Sequence, residues 1–390
     1  MVMDAKFVAL TGAGAAAEAM RQINPEVVPV YPITPQTPIV ESFAKMVADG
    51  KVDSEMIRVE SEHSAMSATI GAQAAGVRAI TASSSAGLAL MFEVLGVASG
   101  LRFPILMNIA NRALSAPINI HCDHSDSMGV RDAGWMQIYS ENAQEVYDNN
   151  FLALKLAERV MLPVMVMQDG FITSHSMENV ELVADEKIQD FIGEYQPENP
   201  LLNVDKPVTV GALQLTDYYF ETKRQQIEAM KTADEVYESL ADQLSGITGR
   251  SYPKLETYGL AEAEVAVLTM SSTAGTAQAI AKKLKEKKKM KVGVIKIRLF
   301  LPFPRKELQE AVKGLKSLAV LDRAVSFGST APLAKEVKNA LFDVEEKPKV
   351  QSYIFGLGGR EIYEQDIAKV YKALLKGETS EEAKYIGLRE

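Results

Sequence analysis

The amino-acid sequence predicts an α/β fold, a doubly wound parallel sheet followed by a second α/β unit. Three observations carry that prediction. Short apolar runs recur through the first 175 residues, and they are continuous rather than alternating, as in strands covered on both faces. Helical patterns separate them, several closed by glycine. The rhythm stops near position 176 and resumes at Glu264, which leaves an arm between two units.

Taken in order, strands are expected at Phe7–Leu10, Val27–Val30, Met56–Val59, Arg78–Ala82, Pro104–Met107 and Pro163–Met167. Helices are expected at Pro38–Ala48, Ser64–Ala75, Gly87–Ser99 and Ala143–Arg159, with Gly50, Gly76 and Gly100 as stops. In the arm, Glu194–Leu201 reads as extended and Asp217–Leu244 as a long polar amphipathic helix closed by Gly246. The second unit offers strands at Val265–Leu268, Val292–Ile295 and Leu318–Leu321, with helices at Thr276–Glu286, Arg305–Val312 and Leu333–Leu341. The Lys-rich run Lys282–Lys291 suits the solvated C-terminal end of a helix, where cations favour the dipole; a surface for an anionic partner is the other reading. The expected division is 1–255 and 256–390.

Composition bounds the function. With 390 residues, 47% apolar and 24% charged, and a mean hydropathy of −0.03, the chain is an ordinary globular one, with room for two or three domains of roughly 150 residues. No apolar run reaches the ~18–20 residues of a membrane span. The opening Met1–Lys6 leads into a strand rather than a secretory leader, so an intracellular, cytoplasmic protein is expected. A net charge of −9 opposes sequence-independent nucleic-acid binding. The single cysteine, Cys122, cannot make an intrachain disulfide, a four-cysteine zinc site or an iron–sulfur cluster.

Ligands of doubly wound sheets bind beyond the carboxyl ends of the strands, so the loops there hold the candidates. Gly12–Ala17 superficially matches a dinucleotide fingerprint. The next strand ends in Tyr31-Pro-Ile-Thr-Pro35 instead of the acidic residue a ribose needs, so a close packing turn is the better reading. In Tyr31–Pro38, three prolines stiffen a loop around two threonines. Thr37 suits a helix N-cap before Pro38, whereas Thr34 has no such use and is a candidate substrate-contacting hydroxyl. Glu60 and Glu62 stand at a strand end before a small-residue helix. A dry carboxylate at Glu62 could share a proton with a ring nitrogen; a helix-start anion favoured by the dipole is the structural alternative. Arg112 opens a long polar loop and suits bidentate capture of a small carboxylate, with an ion pair to Asp123 or Asp126 as its alternative. The crowded His121, Cys122, Asp123, His124 and Asp126 invite a metal, but adjacent residues cannot all face one ion, and satisfied loop histidines, His63 and His175 included, are the plainer reading.

Tyr31–Glu41, Glu60–Ala65, Asn111–Asn119 and Asp123–Asp126 resemble the alpha subunit of the multi-subunit pyruvate:ferredoxin oxidoreductases. The similarity continues through Gln168–Phe171, Lys223–Met230, Leu321–Gly328, Tyr353–Arg360 and Tyr385–Glu390, essentially the whole chain. The resemblance implies a pyrimidine-binding thiamin diphosphate domain followed by a transketolase C-terminal-like domain. It implies an enzyme that oxidatively decarboxylates pyruvate with coenzyme A to acetyl-CoA and CO2, reversibly, with ferredoxin as electron acceptor. It makes Glu62 the carboxylate on the aminopyrimidine that promotes ylide formation, Thr34 and Arg112 the holders of the 2-oxoacid, and Tyr31, Pro32 and Ile33 part of the cofactor pocket. A related oxalate-using branch carries Arg where this chain has Thr34. The usual Gly-Asp-Gly diphosphate motif occurs nowhere; Gln168-Asp-Gly170 is the nearest lookalike. Mg2+ and the diphosphate half-site are therefore expected on a beta subunit, and the [4Fe-4S] clusters on partner chains that include a gamma subunit and a ferredoxin-like delta subunit. A sibling enzyme for branched-chain 2-oxoacids, a non-catalytic scaffold and a stand-alone metalloenzyme are the alternatives.

Overall fold

The computed structural model describes residues 6–389. The leader reading at Met1–Ala5 lies outside the described residues. The first half runs β1 (Lys6–Thr11), α1 (Gly12–Ile23), β2 (Val27–Val30), α2 (Thr37–Ala48), β3 (Glu55–Arg58), α3 (Glu62–Ala75), β4 (Ile80–Ser83), α4 (Ser85–Leu90), α5 (Phe92–Gly100), β5 (Leu106–Asn111), α6 (Ser125–Gly129), β6 (Met136–Tyr139), α7 (Ala143–Val160), β7 (Val164–Asp169), β8 (Met177–Leu182) and α8 (Asp185–Ile192). Then come the arm helix α9 (Tyr219–Thr248), β9 (Leu255–Tyr258), β10 (Val265–Met270), α10 (Thr273–Lys288), β11 (Val292–Ile297), β12 (Leu299–Leu301), α11 (Arg305–Ala311), β13 (Ser317–Asp322), α12 (Pro332–Ala340), β14 (Lys349–Ile354), α13 (Glu364–Leu375) and β15 (Lys384–Tyr385).

The first sheet is ordered β12-β6-β7-β5-β4, and a parallel bridge from Val27 to Ala79 joins it to the parallel pair β2-β3. Every pairing in it is parallel except that of β12. Strands β4, β5, β6 and β7 are fully buried, which is why β4, β5 and β7 read as continuous apolar runs. Helix α1 packs against α2 and α7, and Ala13, Ala15, Ala16, Ala17 and Ala19 are completely buried there. The second sheet is ordered β15-β14-β13-β10-β11-β9, parallel except for β9. Ile280, Ile367 and Val370 from α10 and α13 cover one face, while Leu308, Leu333 and Val337 from α11 and α12 cover the other.

Several expectations are corrected. β1 is not in the main sheet; it pairs antiparallel with β8, and its Phe7 is exposed. The segment read as Gly87–Ser99 is two helices that break at Met91. Thr37 does not cap α2: the cap position is Gln36, and Thr37 is already helical. α9 passes through Gly246 and stops at Gly249, whose φ of 71° supplies the left-handed turn. The halves share a core in which Trp135 and Tyr139 pack with Phe300 and Leu268. Polar clasps reinforce the contact: Lys296 of β11 binds Glu141 and Glu145, and Arg298 binds Glu145 and Glu256.

Candidate active site

The carboxyl ends of β2, β3, β4 and β5 form one edge, and the candidate residues leave from it. Strand order reverses between β2 and β4, since β3 lies on the far side of β2; such switch points open a crevice. The Tyr31–Pro35 loop leaves β2 there. Gln36, completely buried, braces that loop: its Oε1 accepts from the Ile33 amide at 3.2 Å and its Nε2 donates to the Ala82 carbonyl of β4 at 3.2 Å. Tyr31 and Ile33 are half-buried, while Pro32 and Thr34 are exposed. Gly170 lets the loop settle, since a Cβ there would lie 2.3 Å from the Asn111 carbonyl oxygen and 2.7 Å from Pro35 Cγ.

Arg112 follows the last residue of β5 and is 8% exposed. Its Nη1 donates to the Thr34 carbonyl oxygen at 2.9 Å, and its Nε to the Asn119 carbonyl oxygen at 2.9 Å. Two residues read separately from the sequence are thus brought together, through the Thr34 backbone. The expected ion-pair alternative does not form: Asp126 takes the Arg112 backbone amide at 3.0 Å, and Asp123 binds Ser125 and the Gly358 amide. Among the described residues Arg112 Nη2 makes no hydrogen bond, so one arm of the fork is open to a ligand.

Glu62 and Glu60 separate cleanly. Glu60 is exposed and accepts from the Ser64 hydroxyl at 2.5 Å. Glu62 is 7% exposed, at the first turn of α3, with Ser61 as N-cap accepting from the Ser64 amide. Its side chain lies against α4, where a Cβ on Gly87 would stand 2.6 Å from Glu62 Oε1. Among the described residues no hydrogen bond joins Glu62 to Thr34 or Arg112, nor satisfies its carboxylate.

The histidine-rich loop does other work. His124 Nε2 meets Asp169 Oδ1 at 2.8 Å, Arg323 Nη1 lies 3.4 Å from Asp169 Oδ2, and the Ser272 hydroxyl donates to the same oxygen. Burial pushes the Asp169 carboxyl up, but Arg323 and His124 outweigh it and hold it well below the usual range. Cys122, His124 and Asp169 are close enough to share an ion, yet Arg323 occupies the position of the cation, and burial pushes the Cys122 thiol up. Asp169 belongs to Gln168-Asp-Gly170, so the nearest diphosphate-motif lookalike is engaged in joining the halves.

Residues 18–242 match the family described as pyruvate flavodoxin/ferredoxin oxidoreductase, thiamine diphosphate-binding. Residues 263–367 match pyruvate:ferredoxin oxidoreductase core domain II. The chain belongs to the pyruvate:ferredoxin oxidoreductase family. It is 53% identical to pyruvate synthase subunit PorA of Thermotoga maritima, covering 98% of each chain, and 44% identical to that of Methanocaldococcus jannaschii, again over 98% of each. It is also 41% identical to ketoisovalerate oxidoreductase subunit VorA of Pyrococcus horikoshii, over 94% of this chain and 93% of that one. Among solved structures, 2-oxoglutarate:ferredoxin oxidoreductase from Magnetococcus marinus shares the fold at a TM-score of 0.74 and 19% identity; 94% of this chain spans 65% of that one. A split-gene transketolase shares it at 0.57 and 13% identity. The fold is thus the oxidoreductase–transketolase type expected of the sequence. Gln36 and Asn119 are the residues of this candidate site that sequence reasoning did not single out; Asp126 was read only as an ion-pair partner of Arg112 or a metal ligand, and Gly170 only as part of a diphosphate-motif lookalike.

Proposed function

We propose that the chain is the alpha subunit of a thiamin-diphosphate-dependent 2-oxoacid:ferredoxin oxidoreductase that oxidatively decarboxylates pyruvate with coenzyme A. The observation that carries this reading is a Glu62 carboxylate, 7% exposed and without a hydrogen-bond partner among the described residues, on the same sheet edge as an Arg112 guanidinium already seated on the Thr34 carbonyl. Family membership and the pyruvate synthase relatives support it. Bound thiamin diphosphate would supply the carbanion chemistry that decarboxylation of a 2-oxoacid requires. Glu62 fits the ring side of that cofactor, where a buried carboxylate can hold a proton against a ring nitrogen, with Tyr31, Pro32 and Ile33 walling the pocket. Arg112 Nη2 and the exposed Thr34 hydroxyl hold and orient the oxoacid carboxylate.

The residues do not fit the other end of the cofactor. The sequence has no Gly-Asp-Gly motif and Asp169 is engaged by His124, Arg323 and Ser272. The diphosphate and Mg2+ therefore belong to a beta subunit, and the [4Fe-4S] clusters to partners that pass electrons to ferredoxin. The surface beside Glu62 suits such a neighbour: Leu90, Phe92 and Val97 of α4 and α5 are exposed, next to Ser67 and Gly71 of α3, whose small side chains allow close approach. Among the described residues no helix is long and apolar enough to cross a membrane, in keeping with a cytoplasmic complex. The chain divides close to 255/256: the second sheet follows the boundary except that β9 starts at Leu255, and the first sheet precedes it except for β12.

Glu62→Ala in the reconstituted complex is expected to abolish pyruvate decarboxylation with subunit assembly intact; near-normal turnover would sink the assignment. The VorA relatives favour one competing reading, a branched-chain 2-oxoacid, which is decided by comparing kcat/KM for pyruvate and 2-oxoisovalerate.

A further inference from the structure

Asp126 is 1% exposed and accepts four hydrogen bonds, all from neutral groups. Its Oδ2 takes the backbone amides of Ser85 at 2.9 Å and Arg112 at 3.0 Å; its Oδ1 takes Asn111 Nδ2 at 2.8 Å and the Ser127 amide at 2.8 Å. A carboxylate is the side chain that offers two purely accepting oxygens, so this four-way junction demands Asp or Glu. One of its bonds lands where the backbone needs holding. Ser85 begins α4 at a φ of 45°, left-handed for a residue with a Cβ, and its hydroxyl is tied to the Ala113 carbonyl at 2.6 Å. Two residues further on, Gly87 is the backbone against which Glu62 rests.

We propose that Asp126 is the positioning residue of this site: one oxygen, bonded to both Ser85 and Arg112, fixes α4 behind Glu62 and the guanidinium above Thr34 in a single register. The idea rests on the roles given above to Glu62 and Arg112. It extends them to a group that touches neither cofactor nor substrate.

The test uses the reconstituted complex and four variants: D126A, D126N, R112A and the double variant R112A/D126A. D126A is expected to raise the KM for pyruvate about tenfold and lower kcat by about tenfold, with the KM for coenzyme A within about twofold of the parent. In the R112A background, D126A should add less than about threefold to the pyruvate KM while still lowering kcat, because the guanidinium it positions is gone. D126N should lie between parent and D126A. The buried Asn111 Oδ1, which has no partner, can turn to meet the new amide and leave the remaining oxygen for Ser85 and Arg112. An unchanged pyruvate KM in assembled D126A, or KM effects that multiply in the double variant, overturns the proposal. Should D126A not assemble, D126N decides: a raised pyruvate KM with an unchanged coenzyme A KM supports positioning, and parental values overturn it. If R112A itself keeps the parental pyruvate KM, the site reading has failed; if R112A behaves as expected and D126A does not, only the role of Asp126 is lost.

Discussion

Arg112 shows how a single side chain can be fixed in place with one arm of its guanidinium left open. Two of its nitrogens are fixed by carbonyl oxygens of Thr34 and Asn119, which costs no counter-charge and leaves the positive end unneutralised. Arg112→Ala is expected to raise the pyruvate KM through loss of a charge-assisted hydrogen bond of about 1.5–3 kcal/mol, roughly 10- to 150-fold, with little change for coenzyme A. Equal rises in both KM values in steady-state assays would refute this. Glu62, Thr34 and Arg112 were legible in the sequence because each sits where a strand pattern stops and a loop with chemistry begins. Gln36 and Asn119 were not, because their value lies in partners distant in sequence: Ala82 of β4 for Gln36, and Gly358 in the turn after β14 for Asn119. Nothing local marks a glutamine that braces a loop from behind.

At the scale of the element, the second sheet offers a clean case. Asp322 ends β13 and accepts from the amides of Leu333 at 2.7 Å and Ala334 at 3.0 Å, satisfying the first turn of α12 from outside the helix. Burial pushes its carboxyl up to about 7 against the pull of those two bonds. A carboxyl raised in the folded state takes up a proton on folding, so its share of stability is largest at acid pH and declines as pH climbs toward 7. Asp322→Ala is expected to cost about 1–2 kcal/mol for the lost cap. Its gap to the parent in thermal melts should narrow between about pH 4 and about pH 7, and a widening gap would contradict the burial argument. The long apolar strands were readable because both faces are covered. β12 escaped because three residues carry too little period, and β6 because Gln137 interrupts its apolar run. α9 outran its expected end because a helix tolerates one interior glycine for about 1 kcal/mol, whereas Gly249 supplies a left-handed stop.

Across the whole molecule, the two halves meet at the loop that runs from Arg112 to His124. Asn119 Nδ2 donates to the Gly358 carbonyl at 3.0 Å, the Gly359 amide to the Cys122 carbonyl at 2.7 Å, and the His124 amide to the Arg323 carbonyl at 2.8 Å. The far half thereby holds Asn119, whose own carbonyl holds Arg112. A Cβ at Gly359 would lie 2.4 Å from His121 Cβ, and φ there is 77°, so Gly359→Val should shift the loop. We expect a pyruvate KM raised by about three- to tenfold, with stability lowered as well; an unchanged KM would separate the second half from substrate binding. The buried clasp gives a second expectation. Lys296→Met leaves Glu141 without a cation, while Glu145 keeps Arg298, and should destabilise the chain by about 3 kcal/mol in urea unfolding. One further consequence concerns synthesis. The edge of the first sheet is closed by β12, so a nascent chain that has not yet released Leu301 from the ribosome presents β6 with its outer backbone groups unpaired. The amino-terminal half therefore emerges with its sheet one strand short, and the β6 edge stays open through more than a hundred and fifty residues of translation, from Tyr139 to Leu299.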